Sequence, residues 1–217
     1  MDITMGMTRL TKTFAGLGLL LSVVSLSAVA DSSVTLNDTL DYNGQAIVLD
    51  MEVGTAQLIA TDESEVRIEV VVKPSDSNWF GFWSNSDISG VALAINEGQD
   101  KIVLKLSEQD DLSQEWRVYL PREAAIAVEA GVGEVVVDGF VNNIDVDLGV
   151  GRAEVAHQGH YGDVSLESGV GEVSISKNGQ HQAIKRSLVS ASYHSKDEAS
   201  KQHLYVNVGV GEIDINN

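Results

Sequence analysis

Four sets of residues have types and spacings that could do chemistry. His157 and His160 stand three apart with Asp163 close behind, a spacing that could hold a metal through imidazole. A third ligand is not identifiable from the sequence, and no Glu-containing zinc motif accompanies the pair, so a solvated turn is the expected reading. The repeated Gly-Val-Gly units suggest a dinucleotide loop. That fingerprint needs a third glycine and a helix opening directly after it, whereas here the motif recurs inside alternating apolar segments. Asp145 and Asp147 could pair as acid and base, with Glu154 and Asp163 as further carboxylates. Residues two apart on a strand share a face, and theirs is the face opposite Ile144, Val146 and Leu148, hence the outside. The fourth set is Trp79-Phe80-Gly81-Phe82-Trp83, flanked on both sides by Ser, Asn and Asp. It holds 4 of the 12 aromatic residues, and an exposed aromatic cluster of this kind marks a contact site. Trp79, Phe80, Phe82 and Trp83 are the candidate binding residues, Gly81 letting the tip turn tightly. The competing role for the same rings is to cap an open end of the fold.

Positioning any of these requires elements, and the repeats define them. Gly131-Val132-Gly133-Glu134-Val135, Gly149-Val150-Gly151-Arg152, Gly169-Val170-Gly171-Glu172-Val173 and Gly209-Val210-Gly211-Glu212-Ile213 begin 18, 20 and 40 residues apart. Before each copy the apolar residues alternate, as in Ile126, Val128, Ala130 and Ile144, Val146, Leu148. Alternation reads as a strand with one buried face. After each copy the alternation resumes shifted by one, at Val135 and Val137, Ala153 and Val155, Val173 and Ile175, Ile213 and Ile215. Such a slip turns every later side chain outward unless the backbone bends, and glycine bends at least steric cost. Each Gly-Val-Gly is therefore a corner. A degenerate fifth corner lies at Gly54, between Met51 and Ala56.

Two strands, a corner and a polar turn in each 18 to 20 residues suit one coil of a stack. The expected fold is all-β, a short single-stranded parallel β-solenoid, with a β-sandwich of the same strands as the alternative. Stacking coils in chain order would align Glu134, Arg152 and Glu172, placing the cation between two carboxylates. The segment from Ile184 to Tyr205 lacks the motif and is expected to form a strand pair covering the end of the stack.

The run Arg117-Val118-Tyr119-Leu120-Pro121 through Val128-Glu129-Ala130-Gly131-Val132-Gly133-Glu134-Val135, continuing into Ile144-Asp145-Val146, resembles the bacterial putative-adhesin domain family of unknown function. The resemblance extends over roughly residues 45 to 215 and implies an all-β envelope protein without assigned chemistry. The aromatic run and the missing Gly-x-Gly near residue 189 depart from that family's pattern.

Composition bounds the function. With 14 basic and 32 acidic residues the net charge is -18, which repels nucleic acid and anionic lipid. No cysteine is present, so thiol chemistry and cysteine-ligated metals are excluded. Arg9 and Lys12, an apolar stretch from Phe14 to Leu26, and Ala28-Val29-Ala30 ahead of Asp31 read as a signal peptide over residues 1–30. That apolar run is shorter than the roughly 20 residues a membrane span needs. Residues 31–217 are then a single exported domain, periplasmic or extracellular in a bacterium, with no transmembrane span. The expected function is non-enzymatic: an adhesin-like binding or scaffolding module for an envelope protein, glycan or lipid surface, needing no cofactor. The alternative is a hydrolase or metal-dependent enzyme acting on envelope glycan.

Overall fold

The computed structural model describes residues 33–75, 88–177 and 179–217. Residues 1–30, which the sequence reading expects to be a signal peptide, and the four candidate aromatic residues, Trp79, Phe80, Phe82 and Trp83, lie outside the described residues. The chain is all-β. The first strands are β1 (Val34–Asp41), β2 (Ala46–Thr61), β3 (Glu65–Pro74), β4 (Leu93–Glu97), β5 (Lys101–Leu106) and β6 (Leu112–Pro121). Then come β7 (Ile126–Asp138), β8 (Ile144–Ala156), β9 (Asp163–Lys177), the two-residue β10 (Gln180–His181) and β11 (Lys185–Arg186), β12 (Ala191–Lys196) and β13 (His203–Asn216). Strands β2, β7, β8, β13 and β9 are parallel neighbours in that order.

The phase slip is built as the alternation requires. Ile47, Ile126, Ile144 and Leu204 are in register and buried, as are Leu49, Val128, Val146, Val206 and Leu166. Beyond the corner the buried columns are Ala56, Val135, Ala153, Ile213, Val173 and Leu58, Val137, Val155, Ile215, Ile175. Burying one such aliphatic side chain contributes about 1.5–3 kcal/mol, so the five-deep columns are the main cohesive force along the stack. Between them Gly54, Gly133, Gly151, Gly211 and Gly171 form a register column of their own. Gly133 has φ +147°, and a Cβ there would lie 1.7 Å from the carbonyl oxygen of Gly54. Both the conformation and the close approach demand glycine.

The stacking order differs from chain order. The last strand, β13, is inserted between β8 and β9, so the in-register neighbours of Arg152 are Glu134 and Glu212, and Glu172 lies one place further on. Arg152 is still flanked by two glutamates, and it pairs with Asp214 at 2.7 Å and Glu154 at 3.8 Å. Glu212 and Glu172 become adjacent like charges, and Arg186 approaches Glu172 at 3.6 Å. The cause is β12, which runs antiparallel along the first half of β9 and occupies its outer edge. No corner is needed near residue 189, because that segment is an antiparallel pair, β11 with β12.

At the other end β5 and β6 still run parallel to β2, and the pairs beyond them, β4 with β5, β3 with β6 and β1 with β3, are antiparallel. Beside β2, the first arm is covered by β5 and then β4, the second by β6, β3 and β1. Where these two coverings part, Gln109 terminates the corner: its Oε1 accepts the Glu52 backbone N–H at 3.0 Å and the Gln114 amide at 2.7 Å. Gln114 in turn accepts the Trp116 indole N–H at 2.8 Å, so this buried polar chain is satisfied throughout. At the far end the buried Ser168 hydroxyl donates to Gly211 at 2.8 Å, and the Gly171 N–H donates to Val189 at 2.8 Å.

Candidate binding groove on the outer face

The outward residues of the first arms stand in columns set by the same register. One column is Asp50, Glu129, Asp147, Asn207, Glu167; its neighbour is Val48, Ala127, Asp145, Tyr205, Ser165, His194. Small residues at Ala127, Gly131, Gly149 and Ser165 leave the middle low, and a groove of about 1190 Å³ results. Its carboxylates are Asp50, Glu52, Glu129, Asp145, Asp147, Asp163 and Glu167, against Lys196 and His194.

The groove divides into a braced half and an open half. Around β13 every acid has a partner. His203 meets Asp145 at 2.9 Å and stacks on Tyr205 with ring centroids 4.5 Å apart. The Asn207 amide donates to Asp147 at 3.1 Å, Lys196 lies 3.3 Å from Asp163, and His194 sits between Ser165 at 3.1 Å and Glu167 at 3.6 Å. A hydrogen bond to the Asp163 carboxylate pushes the Tyr205 hydroxyl above its ordinary pKa, with desolvation adding to the rise. Across β2 and β7, by contrast, Asp50 and Glu129 face each other in register at about 4.8 Å with no cation interleaved among the described residues. Like charges directly opposite repel, so this half of the wall favours an external positive charge.

Of the carboxylates considered from sequence, Asp145, Asp147 and Asp163 come together in this groove. Glu154 does not; it lies past the corner beside Arg152. The His157 and His160 pair does not converge. His157 packs edge-on against Tyr161, bonds Gly159 through Nδ1 at 3.1 Å and has its pKa lowered by burial, while His160 pairs with Asp197 at 3.1 Å. Among the described residues no group of three or more His, Cys, Asp or Glu is arranged to hold a metal ion. No helix of the described residues is long and apolar enough to cross a membrane. Sequence reasoning missed Tyr205, Asn207, His194 and Lys196 as groove residues. The alternation of β13 places Tyr205 and Asn207 outward, but only the insertion of that strand brings them beside Asp145 and Asp147.

No protein-family model and no curated protein sequence matches the chain. Three solved structures are similar to it. A protein from Clostridium sporogenes described as a "putative cell adhesion protein" is 17% identical with a TM-score of 0.47, over 85% of this chain and 99% of its own. A "putative adhesin" from Parabacteroides merdae is 9% identical with a TM-score of 0.29, over 66% of this chain and 68% of its own. Another from Bacteroides fragilis is 8% identical with a TM-score of 0.27, over 85% of this chain and 98% of its own.

Proposed function

We propose that the chain is an exported, non-enzymatic envelope protein acting as an adhesin-like binding or scaffolding module, with the acidic groove as its contact surface. The observation that carries this reading is the open half of the groove, where Asp50 and Glu129 stand in register on a parallel stack with no compensating cation among the described residues. Strand register fixes the backbone positions of these carboxylates before a ligand arrives, which lowers the entropic cost of binding. A wall of repeated, outward charge suits a long ligand with cationic groups better than a single reacting bond.

Trp79, Phe80, Phe82 and Trp83 are a second proposed contact. The chain enters that run from Ser75, whose N–H bonds Asp111 at 2.8 Å, two residues from the Gln109 that closes the groove end at Glu52. The alternative, hydrolysis of envelope glycan, is favoured by one observation, that Asp145, Asp147 and Asp163 share the groove. Against it, the Asp145 and Asp163 side chains are 46% and 34% exposed, and a general acid needs shielding from water.

The test is co-sedimentation of the exported chain with outer-membrane vesicles and with purified cell wall. The wild type is compared with Asp50→Asn/Glu129→Gln and with a variant carrying Ser at the four aromatic positions, all at matched melting temperature. Pelleting with one fraction, lost in the groove variant, supports the reading. Failure to pellet with either overturns it, and release of soluble fragments from cell wall, abolished by Asp145→Asn, would establish the hydrolase instead.

A further inference from the structure

The middle residue of every corner is valine, and every one is exposed. Val53, Val132, Val150, Val210 and Val170 are in register on five neighbouring strands and 38%, 46%, 45%, 47% and 49% exposed. At about 4.8 Å per strand they form an apolar row roughly 19 Å long, parallel to the stack axis. The row continues at one end into Val189 and Leu188, 61% and 100% exposed, because the Val189 carbonyl bonds the Gly171 N–H. Acidic residues border it on both sides: Glu52, with Asp50, Glu129 and Asp147 behind it, on the groove side, and Glu134 and Glu212 beyond the corner. The cations on that second side are already engaged, Arg152 by Asp214 and Arg186 by Glu172.

We infer that this row is a docking strip for a basic amphipathic helix of a partner protein, about 13 residues long, with its apolar stripe on the valines and its Lys or Arg flanks on the bordering carboxylates. The inference rests on the binding-module reading and names the partner class. Spacing selects a helix: same-face neighbours on a helix are about 5–6 Å apart, close to the 4.8 Å rung, whereas same-face residues on a strand are about 6.6 Å apart. At 1.5 Å per residue, about 13 residues span the row. Charge selects a basic one, and the same charge opposes an anionic membrane.

A valine row also stabilises the stack by itself, since β-branched side chains pack well between strands. The test therefore uses Val132→Thr/Val150→Thr/Val210→Thr, which keeps the branching and replaces one exposed methyl of each valine by a hydroxyl. The probe is a labelled 14-residue Leu/Lys peptide with leucines at i, i+3, i+4 and i+7, read by fluorescence anisotropy against the full exported chain. Controls are a scrambled peptide of the same composition and the Lys→Glu peptide. The expected result is saturable binding of the helical peptide only, at least about tenfold weaker in the triple Thr variant at unchanged melting temperature. Glu129→Gln/Asp147→Asn should weaken it at low salt, the difference shrinking at high salt. Equal binding of the scrambled peptide, or equal affinity of the Thr variant, overturns the inference. A wild-type dimer that the Thr variant dissociates assigns the strip to a second copy and also overturns it, as does vesicle binding lost in that variant. Envelope pelleting that survives the Thr changes but not the groove changes refutes the strip alone; pelleting with no fraction refutes the binding reading itself.

Discussion

Replacing Gly133 by alanine separates the two demands that the corner makes. Gly44 has φ +89° with nothing within 4 Å of a Cβ placed there, so Gly44→Ala measures the conformational cost alone. That cost is about 1–3 kcal/mol for a residue held in a glycine-favoured region. Gly133, at φ +147°, meets the same kind of strain and in addition would place its Cβ 1.7 Å from the Gly54 carbonyl oxygen. The obstructing atom belongs to the neighbouring strand backbone, so relief requires the strands to part by more than about 1 Å. At that separation ladder bonds flanking the corner are lost, each leaving buried groups unpaired at about 1–3 kcal/mol. With two such bonds the total is about 3–9 kcal/mol, against a whole-domain stability of about 5–15 kcal/mol. For a chain of this size 1 kcal/mol moves Tm by about 2–4 °C. Gly133→Ala should therefore lower Tm by about 6–36 °C and Gly44→Ala by about 2–12 °C, about three times less at any one conversion, followed by calorimetry or circular dichroism. Equal losses for the two variants would refute the close-approach argument and leave only φ as the reason for glycine.

Arg152→Glu should lower Tm more at low salt than at high salt, since it sets a carboxylate beside Asp214 and Glu154 and between Glu134 and Glu212; a thermal scan at two salt concentrations checks this. Tyr161→Phe should raise stability by about 1–2 kcal/mol in denaturant titration, because the buried hydroxyl has no hydrogen-bond partner among the described residues. Burial lowers the His157 pKa below 6.5, so the unfolded chain binds more protons at that ring. Its contribution is complete above pH 6.5 and is lost as pH falls through the folded-state value. Tm should fall between about pH 7 and about pH 5 more steeply in the wild type than in His157→Gln.

Much of the arm-and-corner structure is local and was legible. The switch from Met51 to Ala56, or from Ala130 to Val135, states in residue types alone that the inward face changes parity, and only a glycine backbone satisfies that within three residues. The outward placing of Asp145 and Asp147 follows from the same alternation. The groove was less legible, because a column is made of residues from five strands and its members are known only once the strands are ordered.

That order was invisible for a physical reason. The corners carry nearly the same Gly-Val-Gly-Glu pattern, so any of these strands can pair with any other with the same columns buried, and pairing energy distinguishes the arrangements weakly. What decides among them is an edge. Once β12 folds back antiparallel along β9, that side of β9 is occupied, and β13 takes its place on the other side, between β8 and β9. Residue types by themselves determined the all-β class, the inward faces, the five corners and the acidic exterior. Tertiary structure alone decided that Glu212 rather than Glu172 neighbours Arg152, and that His203, Tyr205 and Asn207 complete a groove with Asp145 and Asp147, because side chains meet across strands whose adjacency depends on which edges remain free.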